Sequence, residues 1–253
     1  MKEAKGNRLT TSALCQPLTW DTEFFGRRIA RVTAQRLTCV AARRILQWSK
    51  QQGIECLYFL CDCGDDESIA VAEKSGFHLV DVRVTLQKRL QLGGPVAPLS
   101  AHVRPAEATD IPRLRLIARE CHTESRFYND TNFNRERAAA LYEAWIERSC
   151  RGHADATLVA VLAGEAIGYV TCHVVGPSQG TIGLLGVSPE RQGCGWGERL
   201  LNASLAWFQN RGVLAVAVTT QGRNLRAQRL YQRAGFTTKA VQLWYHHWNL
   251  EPR

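Results

Sequence analysis

Seven residues, Gln192-Gly193-Cys194-Gly195-Trp196-Gly197-Glu198, stand between an apolar run from Thr181 to Val187 and a helical pattern continuing through Leu201, Leu205 and Phe208. Glycines at alternate positions let the backbone pass close to a ligand. The free N–H groups and positive end of the following helix attract a pyrophosphate. The spacing predicts a phosphate cradle for a nucleotide cofactor. It is neither the dinucleotide spacing G-x-G-x-x-G nor the ATPase spacing G-x-x-x-x-G-K-[ST]. The plain alternative is a strand-to-helix turn that holds nothing.

Other residues invite chemistry and have bland readings beside them. Cys194 lies at a helix N-terminus, where a thiolate is stabilised and an acyl-cysteine can form, yet a small loop residue fits as well. Cys61-Asp62-Cys63 has the look of half a metal site, but no second Cys or His pair stands at zinc spacing, so no metal is expected. His246-His247 fall on an expected strand, where alternation sends the rings to opposite faces and argues against a shared metal. His122, near Glu124, is either a base or a solvated helix residue.

The elements that must position the cradle follow from pattern. Leu92-Gly93-Gly94-Pro95-Val96-Ala97-Pro98 interrupts every periodicity and reads as a linker. It divides an N-terminal domain, 1–92, from a larger domain, 102–253, with 93–101 between them. In the second, a helix begins near Asp110 and Pro112, and another runs from Arg135 to Arg148 and closes at Gly152. A hairpin follows, Thr157 to Ala163 and Ala166 to Val174, joined at Gly164-Glu165. After the cradle come a strand from Val213 to Thr219, a short helix from Leu225 to Ala234 and a long strand from Thr237 to Trp248. Mixed α/β architecture is the expectation.

Laid over the second segment, the first repeats it. Leu46, Trp48, Gly53, Gly76 and Phe77 fall opposite Leu205, Trp207, Gly212, Gly235 and Phe236 at one constant spacing of 159 residues. A helix, a strand from Ile54 to Leu60, a second helix and a strand from His78 to Leu86 are therefore expected to copy the later half. The copy is degenerate. It has no glycine cradle, and Ala72 stands where the later segment has Tyr231.

The chain has 253 residues, a formal net charge of +9 and 45% hydrophobic residues, enough for a substantial core. The charge predicts a partner rich in phosphate or carboxylate. The basic residues are scattered, with no zinc-finger spacing and no RNA-binding aromatic signature, so nucleic acid is not expected. No stretch is long enough to span a bilayer and Met1 to Trp20 lacks a signal-peptide core, so a cytoplasmic location away from membranes is expected. Nine cysteines in such a chain are expected to stay reduced.

Val187-Ser188-Pro189-Glu190-Arg191 leads into Gln192-x-x-Gly195-x-Gly197, and Asn224-Leu225-Arg226-Ala227 with Leu230-Tyr231-Gln232-Arg233-Ala234-Gly235-Phe236 follows about thirty residues later. Together with His102-Val103-Arg104-Pro105-Ala106 and Asp110-Ile111-Pro112, these motifs resemble the GCN5-related N-acetyltransferase (GNAT) family over roughly residues 102–253. The resemblance implies a GNAT fold preceded by a degenerate half-GNAT domain, and acetyl-CoA as co-substrate. It implies that Leu185, Gly186, Val187, Gln192, Gly193, Cys194, Gly195, Trp196, Gly197, Glu198, Asn224, Ala227 and Tyr231 line the acetyl-CoA site. Acetyl transfer needs a polarised thioester, a neutral amine and a proton for the departing thiolate. The resemblance assigns the first to the Val187 N–H and the last to Tyr231. Many relatives carry a glutamate on the strand before the loop, but here that strand has no carboxylate. The base is then an ordered water or Asp81, brought from the N-terminal half.

Pro17-Leu18-Thr19-Trp20-Asp21-Thr22-Glu23-Phe24-Phe25-Gly26, Ser125-Arg126-Phe127, Trp145-Ile146-Glu147 with Arg151-Gly152, and Ile182-Gly183-Leu184-Leu185 extend the resemblance over nearly the whole chain. They are similar to members of the family that acetylate the 4-amino group of a dTDP-linked 4,6-dideoxy sugar, in enterobacterial common antigen or related surface-polysaccharide synthesis. Arg126 is suited to a diphosphate, and Phe127 or Tyr128 to stacking on a pyrimidine. Protein, peptide, polyamine or antibiotic acetylation is the alternative enzyme, and an acetyl-CoA-binding sensor the non-enzyme alternative. Relatives that pair their terminal strands make a homodimer through Leu243-Trp244-Tyr245 an expectation.

Overall fold

The computed structural model describes residues 14–91 and 102–249. They form two compact units, one made of residues up to Val82 together with those from Val241, the other of Arg83–Ala240. The expected linker, 93–101, lies outside the described residues. The units do not divide there: the chain passes from one to the other inside two long strands, β4 (His78–Arg89) and β10 (Thr237–Trp248).

The first unit holds strands β1 (Cys15–Pro17), β2 (Ile29–Val32) and β3 (Cys56–Asp62), with the later part of β10. β2 runs parallel to β3, while β1 and β10 are antiparallel to their neighbours. Helices α1 (Thr19–Phe25), α2 (Cys39–Gln51) and α3 (Asp66–Lys74) complete it. Along β3, Leu57, Phe59 and Cys61 enter a core shared with Ile45 of α2, Val71 of α3 and Tyr245 of β10, as strand alternation requires.

The second unit holds the later part of β4, then β5 (Val103–Pro105), β6 (Ala156–Leu162), β7 (Glu165–Val175), β8 (Gln179–Val187) and β9 (Ala215–Gln221). They lie in the order β4-β9-β8-β7-β6-β5. Only β8 and β9 are parallel. Helices α4 (Ile111–Cys121), α5 (Arg126–Asn129), α6 (Arg135–Arg148), α7 (Trp196–Gln209) and α8 (Leu225–Arg233) surround the sheet. Leu200 of α7 lies against Gly168, and His122 at the end of α4 bonds Tyr169, the next residue of β7. Neighbouring strand residues point to opposite faces, so α7 and α4 cover different faces. The turn between β6 and β7 is Ala163-Gly164, one residue earlier than expected. Both residues have positive φ, 51° and 83°, as a two-residue hairpin of the primed type demands.

The internal repeat is visible in the element ends. β3, α3 and β4 become β9, α8 and β10 when 159 is added to every boundary. The N-caps repeat too: Asp65 accepts from the Ser68 N–H and Asn224 from the Ala227 N–H, both at 3.1 Å. The strand partners are exchanged between the copies. β4, the last strand of the first copy, pairs with β9 (Leu86↔Val218), and β10, the last strand of the second, pairs with β3 (Tyr245↔Phe59). Leu243-Trp244-Tyr245 is thus laddered to β3 of the same chain and Tyr245 is 1% exposed, which corrects its reading as an open dimer seam.

Candidate active site

A cleft opens in the second unit because β8 and β9 stop pairing. Their ladder runs from Gln179↔Ala215 to Ile182↔Val218, although β8 continues to Val187 and β9 to Gln221. The register of β8 against β7 slips between Val170 and Cys172, so Gly183-Leu184 form a bulge opposite Thr171. A bulge bends and twists its strand away from a neighbour. The Leu184 N–H is diverted to Thr171 Oγ1 at 2.8 Å, and the Ser188 N–H to the Ile167 carbonyl at 2.9 Å. Alternation then turns the N–H and C=O of Leu185 and Val187 away from β7, toward the side β9 has left. The Val187 carbonyl accepts from Gln192 Nε2 and Cys121 Sγ, each at 2.9 Å. The N–H groups of Leu185 and Val187 have no strand partner on that side, so both point into the gap between the strands.

The loop after β8 has the geometry its glycines predict. Gly193 and Gly195 sit at φ 80° and 81°, and a Cβ built on either would meet nothing within 4 Å. Glycine is needed there by the backbone conformation and not by crowding. Gly195 is the N-cap of α7 and makes no side-chain cap, which leaves the first N–H groups of the helix for an anion. Gly197 is different: its Cβ would lie 3.3 Å from Leu230, so it lets α7 approach α8. Gln192 spends its amide on Val187, tying the loop to the strand end. The Trp196 side chain is 7% exposed under Arg199 and beside His102, so it offers the cradle its backbone and not its ring. Glu198 and Cys194 are exposed, and the Cys194 thiol donates to the Gln192 carbonyl at 3.7 Å. Gly195→Val should keep the fold and weaken CoA binding about tenfold, because a left-handed β-branched residue costs about 1–2 kcal/mol. Calorimetry with CoA reads this, and an unchanged Kd would deny the loop its role.

Tyr231, on α8, is 5% exposed and its ring lies 5.7 Å from that of Phe236. Among the described residues no group hydrogen-bonds its hydroxyl. Burial pushes its pKa well above the ordinary phenolic value, so it stays protonated. Asn224, also expected at the acetyl-CoA site, uses its carbonyl oxygen as the N-cap of α8 on Ala227.

The far side of the cleft is cationic. Arg83 pairs in register with Gln221, the last residue of β9, beyond the point where β8 has departed. Its guanidinium is partly buried, and burial followed by repulsion from Arg126 lowers its pKa. Among the described residues no carboxylate forms an ion pair with Arg83. The turn before α8 is tied to α5 by Arg223 Nη1 donating to Asn129 Oδ1 at 2.8 Å. Arg126 lies over the Phe127 ring at 4.5 Å. Phe127 itself is 3% exposed and packs edge-on against Phe133, which corrects its reading as a stacking platform: it supports Arg126 from beneath. Ser125 is 4% exposed and its Oγ has no hydrogen-bond partner among the described residues.

The remaining candidates fall elsewhere. His122 is stacked on Tyr142 and shares a 2.8 Å hydrogen bond with the Tyr169 hydroxyl. Burial lowers its pKa to about 4, so it is neutral, packed between aromatic rings and not a solvated helix residue. Asp81 belongs to the first unit, is 5% exposed and accepts the Val82 N–H at 2.8 Å. His246 stacks on Tyr58 and His247 lies by Phe77, in keeping with opposite faces. Arg83 was missed by sequence reasoning. Its signal was the alternation of Asp81, Arg83, Thr85 and Gln87 with buried Val84 and Leu86.

Residues 113–236 match the model of the acetyltransferase (GNAT) family. The chain is 28% identical over 236 residues to dTDP-fucosamine acetyltransferase of Escherichia coli O6:H1, covering 92% of this chain and 97% of that protein. It is 30% identical over 144 residues to the spore coat polysaccharide biosynthesis protein SpsD of Bacillus subtilis, covering 57% of this chain and 50% of that protein. Among solved structures, a GCN5-related N-acetyltransferase from Sphaerobacter thermophilus superposes with a TM-score of 0.65 at 16% identity, over 92% of this chain and 76% of the other. At that identity the likeness speaks to fold alone.

Proposed function

From a chain that carries a GNAT acetyltransferase domain over residues 113–236, we propose an acetyl-CoA-dependent transfer of acetyl to the 4-amino group of a nucleotide-linked 4-amino-4,6-dideoxy sugar. The nucleotide is dTDP and the setting enterobacterial common antigen or related surface-polysaccharide synthesis. The observation that carries this reading is the Arg83–Arg126 pair. Two guanidiniums near enough to repel each other, that of Arg83 partly buried and without a carboxylate among the described residues, form a site that favours an anion. It is separate from the glycine cradle, so acetyl-CoA and the acceptor each have a place for their phosphates. The likeness to dTDP-fucosamine acetyltransferase supports the same choice. A cationic polyamine or aminoglycoside would meet repulsion there.

In this reading the cradle and the α7 N-terminus hold the pyrophosphate of acetyl-CoA, with the thioester lying along the free edge of β8. The sugar amine attacks the carbonyl carbon, and the N–H groups of Leu185 and Val187 receive the charge on oxygen. The C–S bond then breaks and the departing thiolate takes the Tyr231 proton.

The test is thiol release from acetyl-CoA with dTDP- and UDP-linked amino sugars beside spermidine, an aminoglycoside and a peptide. Turnover is expected with a dTDP-linked 4-amino sugar. Turnover confined to the peptide or polyamine would move the function to that alternative, and binding of CoA with no turnover on any amine would make the chain a sensor.

A further inference from the structure

The attacking amine must lose a proton, and β8 carries no carboxylate to take it. The bulge in β8 shows what stands there instead. Gly183 is exposed, and a Cβ built on it would lie 2.7 Å from His173 Nε2 and 2.8 Å from Thr171 Oγ1. The imidazole of His173, on β7, thus lies directly over the missing side chain of β8. That is the point where β8 and β9 separate and two residues before the Leu185 N–H. Thr171 is fixed under it by the Leu184 N–H. Tyr169, Thr171 and His173 share one face of β7, and that face is open at Gly183 while Tyr169 is fully buried.

We propose that His173 is the general base of the transfer, its imidazole accepting the proton of the attacking amine across Gly183. This rests on the acetyltransferase reading above. The amine nitrogen forms its bond to the carbonyl carbon as its proton passes to an imidazole nitrogen. The carbonyl oxygen gains the electron pair, which returns as the C–S bond breaks, and the imidazolium gives its proton to solvent.

The charged surroundings of His173 suit a base that is neutral when the amine arrives. His153, exposed, lies ring to ring at 5.8 Å. Asp155 lies nearby and accepts the Val174 N–H at 2.7 Å. Burial first, then the charge of His153, lower the His173 pKa below its ordinary value, and Asp155 together with a hydrogen bond to the His153 backbone opposes this only in part. The base is therefore active above its lowered pKa and lost as pH falls through that pKa.

The experiment is the pH dependence of kcat/KM for the full chain, His173→Gln and Gly183→Ala, with whichever amine the unaltered chain acetylates. For the unaltered chain, log kcat/KM should fall with a slope of about one while only the amine is protonated. The slope should become about two below the His173 pKa. In His173→Gln the second break should vanish and kcat drop about 10²-fold, with CoA affinity by calorimetry unchanged. In Gly183→Ala the new methyl group pushes the ring aside, so kcat should fall while the break remains. If His173→Gln proves poorly folded by its melting curve, Gly183→Ala decides. A kcat within threefold of the unaltered chain's in the folded His173→Gln, or in Gly183→Ala, would overturn the proposal. Absence of turnover on every nucleotide sugar counts against the substrate reading alone, because the slopes are read with any accepted amine.

Discussion

Replacing Tyr231 by Phe should lower kcat about 10²–10³-fold while CoA binds as before. The hydroxyl is the only atom removed, and it makes no hydrogen bond to any described residue. The ring remains against Phe236 at the same site on α8. Loss of packing therefore cannot explain a loss of rate. A thiolate leaving an enclosed site needs a proton at once, and a tyrosine whose pKa is raised by burial holds that proton through the physiological range. For the same reason no basic limb from Tyr231 should appear in the pH profile below pH 10. Melting temperature should stay within about a degree or two, since the hydroxyl makes no hydrogen bond to a described residue and the ring packing is kept. Stopped thiol release beside calorimetry with CoA gives both numbers. A Tyr231→Phe enzyme with native kcat would remove the residue from the chemistry.

Arg83→Met should separate function from stability in the opposite sense. The methionine keeps much of the arginine stem and drops the charge. KM for a nucleotide-linked acceptor is expected to rise about 10- to 100-fold, the range of a charge-assisted hydrogen bond worth about 1.5–3 kcal/mol. The protein without acceptor should at the same time become more stable. A base whose folded pKa is depressed is destabilising in its charged form, and Arg83 is depressed by burial and by Arg126. The rise in melting temperature that a nucleoside diphosphate gives the unaltered chain should shrink in the variant. A variant with unchanged KM and an unchanged diphosphate-induced rise would take the anion away from this site.

The parts of this arrangement that were legible in sequence are the local ones. The cradle is written in Gly193 and Gly195, whose positive φ favours glycine, and the repeat in Gly-Phe pairs that end α3 and α8 alike. What could not be read depends on strand partners. The exchange of β4 and β10 between the copies leaves every local pattern unchanged, so the division at 92 and 102 looked natural while the packed units divide inside the strands. Phe127 reads as a solvent-facing aromatic until Phe133 covers it. His173 acquires meaning only through the bulge that sets it over Gly183, and a bulge is a property of two strands together. Arg83 stands two residues after Asp81 on the same strand, and only the departure of β8 from β9 makes its surroundings a site.

The central claim is that the acceptor is recognised through its nucleotide. The most direct measurement is kcat/KM for a dTDP-linked 4-amino-4,6-dideoxy sugar set against the same amino sugar without the nucleotide, at fixed acetyl-CoA. The account predicts a preference of about 10²-fold or more for the nucleotide-linked form, reduced in Arg83→Met. Equal kcat/KM for the two forms, or a higher value for the free sugar, would contradict it.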